Sequence, residues 1–166
     1  MADHHPEAIM ADYVLTENGG LHTGNPDNPH IGMNVGEKGV AWRQLRIKGT
    51  PGHGSAPFKS DNALVRAAGV VQRLAEYRPP PQFHELWRQQ VDILDVDDET
   101  KSIMLDESKI EDWLDAHPVE GLARHFYSCT HTTFSPNVVE SDRRMKTNVI
   151  PDQIDVNVDI RTLPGE

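Results

Sequence analysis

Residue types able to do chemistry stand out at four places in this chain. His53 lies between Gly52 and Gly54 in the run IKGTPGHGSAP, residues 47–57. Flanking glycines permit backbone angles that other residues resist, so such a loop can present an imidazole outward at small steric cost. The same ring can instead hydrogen-bond its own backbone, and spacing alone leaves both readings open. Glu17, in LTENGG, offers a hard carboxylate suited to zinc at about 2.0–2.2 Å, or an ordinary strand-end charge in water. Asn148, in TNVIPD, reads as a turn former ahead of Pro151. Arg161 carries a planar fork that fits a carboxylate, or pairs with Asp159 on its own strand face. The remaining histidines are ordinary: His4 and His5 are adjacent, and His22, His30, His84, His117, His125 and His131 have no HExxH-type spacing.

These residues need elements to hold them. Tyr13–Thr16 is a short β-type run that delivers Glu17 to a loop, and LHTGNPDNPHIGMN is so rich in Gly, Asn and Pro that it reads as a linker, with a boundary near Gly36. Val40 to Lys48 alternates as a strand. After the His53 loop, Ser60 or Asp61 can cap a helix whose apolar residues Leu64, Ala67, Ala68, Val71, Leu74 and Ala75 recur at three- and four-residue steps, ending near Tyr77 before three prolines. Residues 82–121 read as a helical insertion with stripes from Phe83 to Leu94 and from Ile110 to Leu114, the second after a cap at Ser108. DVDDET between them reads as a solvated acidic turn, since it lacks the glycine and final Glu of a calcium loop. HFYSCTHTTFS returns to β composition, and IDVNVDIR sets Ile154, Val156, Val158 and Ile160 against Asp155, Asn157, Asp159 and Arg161. Three strands and one principal helix make an α+β, split βαβ sandwich cut before its second helix and fourth strand. The chain reads as truncated at both ends.

Composition narrows the partners. The 166 residues carry a net charge of −10, and no Lys/Arg run offsets it, so no nucleic-acid ligand is expected. A single cysteine, Cys129, rules out an internal disulfide and a thiolate zinc cluster and fits a reducing, cytoplasmic setting. No apolar run is long enough to span a bilayer, so no membrane partner is expected.

Taken jointly and in order, LTENGG, GEKGVAWRQLRIKGTPGHGSAP and TNVIPDQIDVNVDIRTLPGE resemble the zinc metallopeptidases and deacylases that include aminoacylase, acetylornithine deacetylase, succinyl-diaminopimelate desuccinylase and glutamate carboxypeptidase. The resemblance implies a ferredoxin-like lid or dimerisation domain at residues 36–166 and a remnant of the catalytic domain at residues 1–35. It implies two zinc ions, with cobalt or manganese able to share such ligands, a homodimer formed through the lid, and hydrolysis of an amide beside a free carboxylate in an N-acyl amino acid or dipeptide. By the same resemblance Glu17 is a metal ligand, His53 donates to the developing oxyanion in the partner's site, Asn148 assists, and Arg161 holds the substrate carboxylate. The chain departs from that pattern where Asn18 interrupts Glu-Gly-Gly and where ESDRRMKTN replaces a Gly-Gly turn. The His-x-Asp motif, the bridging aspartate, the Glu-Glu pair and the distal histidine have no counterpart, so the isolated chain is expected to be inactive. The rival expectation is a non-catalytic ferredoxin-like association module.

Overall fold

The computed structural model describes residues 4–5, 7, 10–12, 22–141 and 146–166, and the chain divides into two units, Met1–Val35 and Gly36–Glu166. In the first unit, β1 (His22–Asn25) and β2 (Asn28–Ile31) form an antiparallel hairpin with Asn25 opposite Asn28. A linker was the expectation here. The Asn-Pro-Asp-Asn turn explains the difference, because Pro26 presets the backbone angle of a tight reversal between the two short runs. The expected Tyr13–Thr16 strand and Glu17 lie outside the described residues.

The second unit is built on one sheet. β3 (Gly39–Val40) and β4 (Arg43–Lys48) share one register along β8 (Gln153–Thr162), from Gly39 opposite Thr162 to Lys48 opposite Gln153. β6 (Thr133–Glu140) runs along the other side of β8, antiparallel, with a bulge between Pro136 and Val138. β4 and β6 are therefore parallel to each other with β8 between them, and the chain joining them includes α1 (Ala63–Glu76). This is the expected split βαβ arrangement, α+β in class. Its core follows the alternation in β8: Ile154, Val156 and Val158 are buried against Ala63 and Ala67 of α1, with Leu45, Ile47, Leu74 and Phe134 packed around them. Asn62, rather than Ser60 or Asp61, caps α1 by accepting the Leu64 N–H at 2.8 Å, while Asp61 is engaged by Arg66 and Thr50. The helix ends at Glu76, with Tyr77 as its cap, as the following prolines dictate.

Four further helices follow: α2 (Glu85–Ile93), α3 (Asp98–Met104), α4 (Ile110–Ala116) and α5 (Glu120–Thr130). They enclose a second core of Trp87, Val91, Met104, Ile110, Leu114 and Phe126. Three local expectations change. The helical stretch reaches Thr130, so His125–Thr130 is helix and the strand begins only at Thr133. Phe126 and Thr130, one helical turn apart, both face inward, and that burial overrides the β propensity of an aromatic and Thr-rich run. Within DVDDET, Asp97 caps α3 by accepting from the N–H and hydroxyl of Thr100. Ser108 caps nothing; its N–H and hydroxyl donate to Asp106, and α4 starts after Lys109. The insertion's two ends are clasped where the Gln82 N–H meets the Thr130 carbonyl at 2.8 Å. A stretch that leaves and returns at one point can be added without reshaping the sheet. Among the described residues no helix is long and apolar enough to cross a membrane.

The other sheet face is a row of cross-strand polar pairs. Gln44 donates to Asn157 at 3.1 Å, and Arg46 grips Asp155 through two bonds of 3.0 Å each. Those donors hold the Asp155 carboxyl below the usual carboxylate range. A carboxyl depressed in the folded state contributes stability above its unfolded value, about 3.9, and loses it as pH falls through the lower folded value. Asp155→Asn should therefore lower the urea midpoint near neutral pH and flatten its decline below about pH 4. An unchanged acid slope would show that the pair adds nothing to folding.

Candidate functional site

The loop after β4 is fastened at several points before it reaches His53. The Gly49 N–H donates to the Asp152 carbonyl at 2.8 Å and the Thr50 N–H to the Asp61 carbonyl at 2.7 Å. A side chain at position 49 would place its Cβ 2.4 Å from that Asp61 carbonyl oxygen, so only glycine fits. The chain then forms β5 (Gly52–His53), which pairs antiparallel with β7 (Val149–Ile150), His53 opposite Val149. One residue further, the Gly54 N–H donates to the Asn148 carbonyl at 2.8 Å. Gly54 lies so close to its neighbour that an added Cβ would sit 3.1 Å from the Asn148 Cα and carbonyl carbon. A turn closed by the Ala56 N–H on the His53 carbonyl, 3.0 Å, completes the loop.

The ladder sets His53 opposite Val149 and Gly54 against the Asn148 backbone, and both His53 and Asn148 are exposed. Nδ1 of His53 faces Ser55, 2.7 Å from its hydroxyl and 3.2 Å from its N–H. Neither Ser55 nor Phe58 was singled out by the sequence. Phe58 is 85% exposed, beside Lys59, whose φ of 54° is in the left-handed region and whose ammonium lies 5.3 Å from the ring centre. The available signals were the His-x-Ser spacing and a large apolar residue outside the helical stripe.

Arg161 sits elsewhere. It lies eight residues along β8 from Gln153, and at about 3.3 Å per residue that is about 26 Å from the end nearest His53. Its fork is bidentate on Asp159, at 2.7 and 3.1 Å, and its guanidinium lies 5.9 Å from the centre of the Trp42 ring. Trp42 Nε1 also donates to Asp159, at 2.9 Å. Arg161 and Trp42 thus hold the Asp159 carboxyl below its usual range, and Asp159 raises Arg161 in turn. This end borders a shallow depression of about 400 Å³ lined in part by Trp42, Gln44, Asn137, Asn157 and Asp159.

Several other histidines have local structural partners. His84 caps α2 by accepting the Trp87 N–H, and Nδ1 of His117 meets the N–H and the carbonyl oxygen of Val119 at 3.1 and 3.2 Å. His131 is fully buried, stacked on Tyr127 with ring centres 3.9 Å apart, and burial pushes its pKa down against the opposing pull of Glu111 at 3.3 Å. Among the described residues no three His, Cys, Asp or Glu side chains are placed to hold a metal ion, and Glu17 lies outside them. The described residues therefore do not form the metal site that the resemblance implies.

The sequence model of the peptidase dimerisation domain matches residues 35–166. No curated protein matches the chain. Among solved structures, an M20 family metallo-carboxypeptidase from Sulfolobus solfataricus is similar at 16% identity and a TM-score of 0.47, over 80% of this chain and 37% of that one. This chain thus spans little more than a third of that protein's length.

The ladder makes a direct prediction. Gly54→Ala should push the Asn148 backbone away and expose the residue 54 amide, whose hydrogen exchange should quicken about fivefold or more, the equivalent of a hydrogen bond of about 1 kcal/mol. Exchange at the wild-type rate would mean that the ladder accommodates the methyl group and does not depend on the close approach.

Proposed function

The chain belongs to the peptidase dimerisation domain family, and from that premise we propose that it is the lid and dimerisation portion of a metal-dependent amidohydrolase or exopeptidase. The substrate class is an amide beside a free carboxylate, as in an N-acyl amino acid or a dipeptide. Residues 36–166 are the lid with its helical insertion, and residues 1–35 belong to the catalytic domain, where Glu17 serves as a zinc ligand. Zinc, with cobalt or manganese as substitutes, is the metal proposed for the complete enzyme. A homodimer in a cytoplasmic setting belongs to the same proposal, supported by the family and by the lone, half-buried Cys129.

The described residues supply the lid side of the reaction. The observation that carries the proposal is the β5–β7 ladder, which holds the exposed His53 on a loop braced against the Asn148 backbone. Acyl transfer builds negative charge on the carbonyl oxygen, and a preorganised N–H donor aimed at that oxygen lowers the barrier because it needs no reorganisation at the moment of reaction. His53 fits that role through Nε2, and Asn148 through its amide.

Arg161 fits the substrate carboxylate, with Asp159 holding the fork flat until the substrate takes its place. The length of β8 separates this group from His53 by far more than a small substrate spans. Both side chains therefore serve one substrate only when they come from different protomers, as a two-fold dimer allows. The isolated chain is inactive in this reading.

The test uses the complete protein, supplied with zinc and a panel of N-acyl amino acids and dipeptides. His53→Ala should lower kcat by about 10²–10³, the usual loss for an oxyanion donor, with Asn148→Ala in the same direction. Hydrolysis indifferent to both substitutions would reduce the loop to a turn and leave a non-catalytic association domain.

A further inference from the structure

We infer that Ser55 is a positioning residue that fixes which nitrogen of His53 carries the ring proton, an inference that rests on the reading of His53 as an oxyanion donor. A backbone N–H can only donate, and that of Ser55 meets His53 Nδ1 at 3.2 Å. Nδ1 therefore presents its lone pair, and the hydrogen of the neutral ring sits on Nε2. The Ser55 hydroxyl reaches the same lone pair at 2.7 Å, so it too donates. Two donors from one residue converge on one acceptor.

The consequence is chemical. In the other tautomer, Nε2 would turn a lone pair toward a developing oxyanion and repel it. With Nδ1 occupied, Nε2–H is the group left to face outward, and the ring is pinned against rotation about its side-chain bonds. The turn that closes on the His53 carbonyl through the Ala56 N–H keeps Ser55 at the Nδ1 edge of the ring.

His117 supplies an internal comparison. Its Nδ1 lies 3.1 Å from the N–H of Val119, the same two-residue spacing, but also 3.2 Å from the Val119 carbonyl oxygen, which can only accept. The N–H contact is thus shared by a histidine without proposed chemistry, where an acceptor competes with it. At His53 both groups facing Nδ1 can donate, the hydroxyl being the second.

The experiment reads the tautomer itself. Long-range proton–nitrogen correlation spectra of this chain, taken on neutral rings, should show His53 with its hydrogen on Nε2. In Ser55→Ala the share of the other tautomer should rise about fivefold, the worth of one neutral hydrogen bond, and Ser55→Thr should restore it while His117 stays unchanged in every variant. In the complete protein, Ser55→Ala should lower kcat by up to the same factor with KM unaltered, and Thr should recover it. An unaltered His53 tautomer in Ser55→Ala overturns the inference. A tautomer shift as expected, in a protein whose kcat ignores His53→Ala, overturns instead the reading of His53 as a donor.

Discussion

The central place of β8 in the sheet is the constraint on which the rest depends. Antiparallel partners on both sides satisfy its backbone, its alternate residues Ile154, Val156 and Val158 seat α1, and its opposite face pairs Asp155 with Arg46. Because it is held along its whole length, β8 acts as a rigid spacer. Just before it, β7 carries the partner strand of His53; near its end stands Arg161. The distance between the two polar ends is therefore a property of the sheet, not of the loops.

The helical stretch shows how such a spacer can tolerate addition. Its core is separate from that of the sandwich, and its entry and exit meet at the bond between Gln82 and Thr130. Lys38 adds a tie by donating to the His131 carbonyl at 2.7 Å, at the point where the helices end and β6 is about to begin. Burial lowers the pKa of that lysine. Helices α2 to α5 can thus vary in length or surface while β4, α1, β6 and β8 keep their register.

Much of this architecture was legible in the residues. The unbroken alternation in IDVNVDIR marks a strand with one buried and one polar face, and the three- and four-residue steps from Leu64 to Ala75 mark the helix that covers it. Composition misled at His125–Thr130, where aromatic and β-branched residues serve a helix because Phe126 and Thr130 face a core that local propensity cannot register. At the site, the glycines around His53 announced a loop that presents a side chain. The approach of the His53 loop to the Asn148 backbone, far apart in the chain, depends on long-range pairing between β5 and β7, which no local pattern encodes. Ser55 escaped for a different reason: the His-x-Ser spacing is common, and only the distance to Nδ1 gives it a role.

A mixed dimer tests the account most directly. Complete protomers carrying His53→Ala are paired with protomers carrying Arg161→Ala, and hydrolysis by the mixed dimers is compared with that of each parent variant. If each site draws His53 from one chain and Arg161 from the other, the mixed dimer has one site with both side chains intact, and activity returns. If mixed dimers are as impaired as their parents, the two residues serve a site within one chain, and the reading built on the length of β8 is wrong.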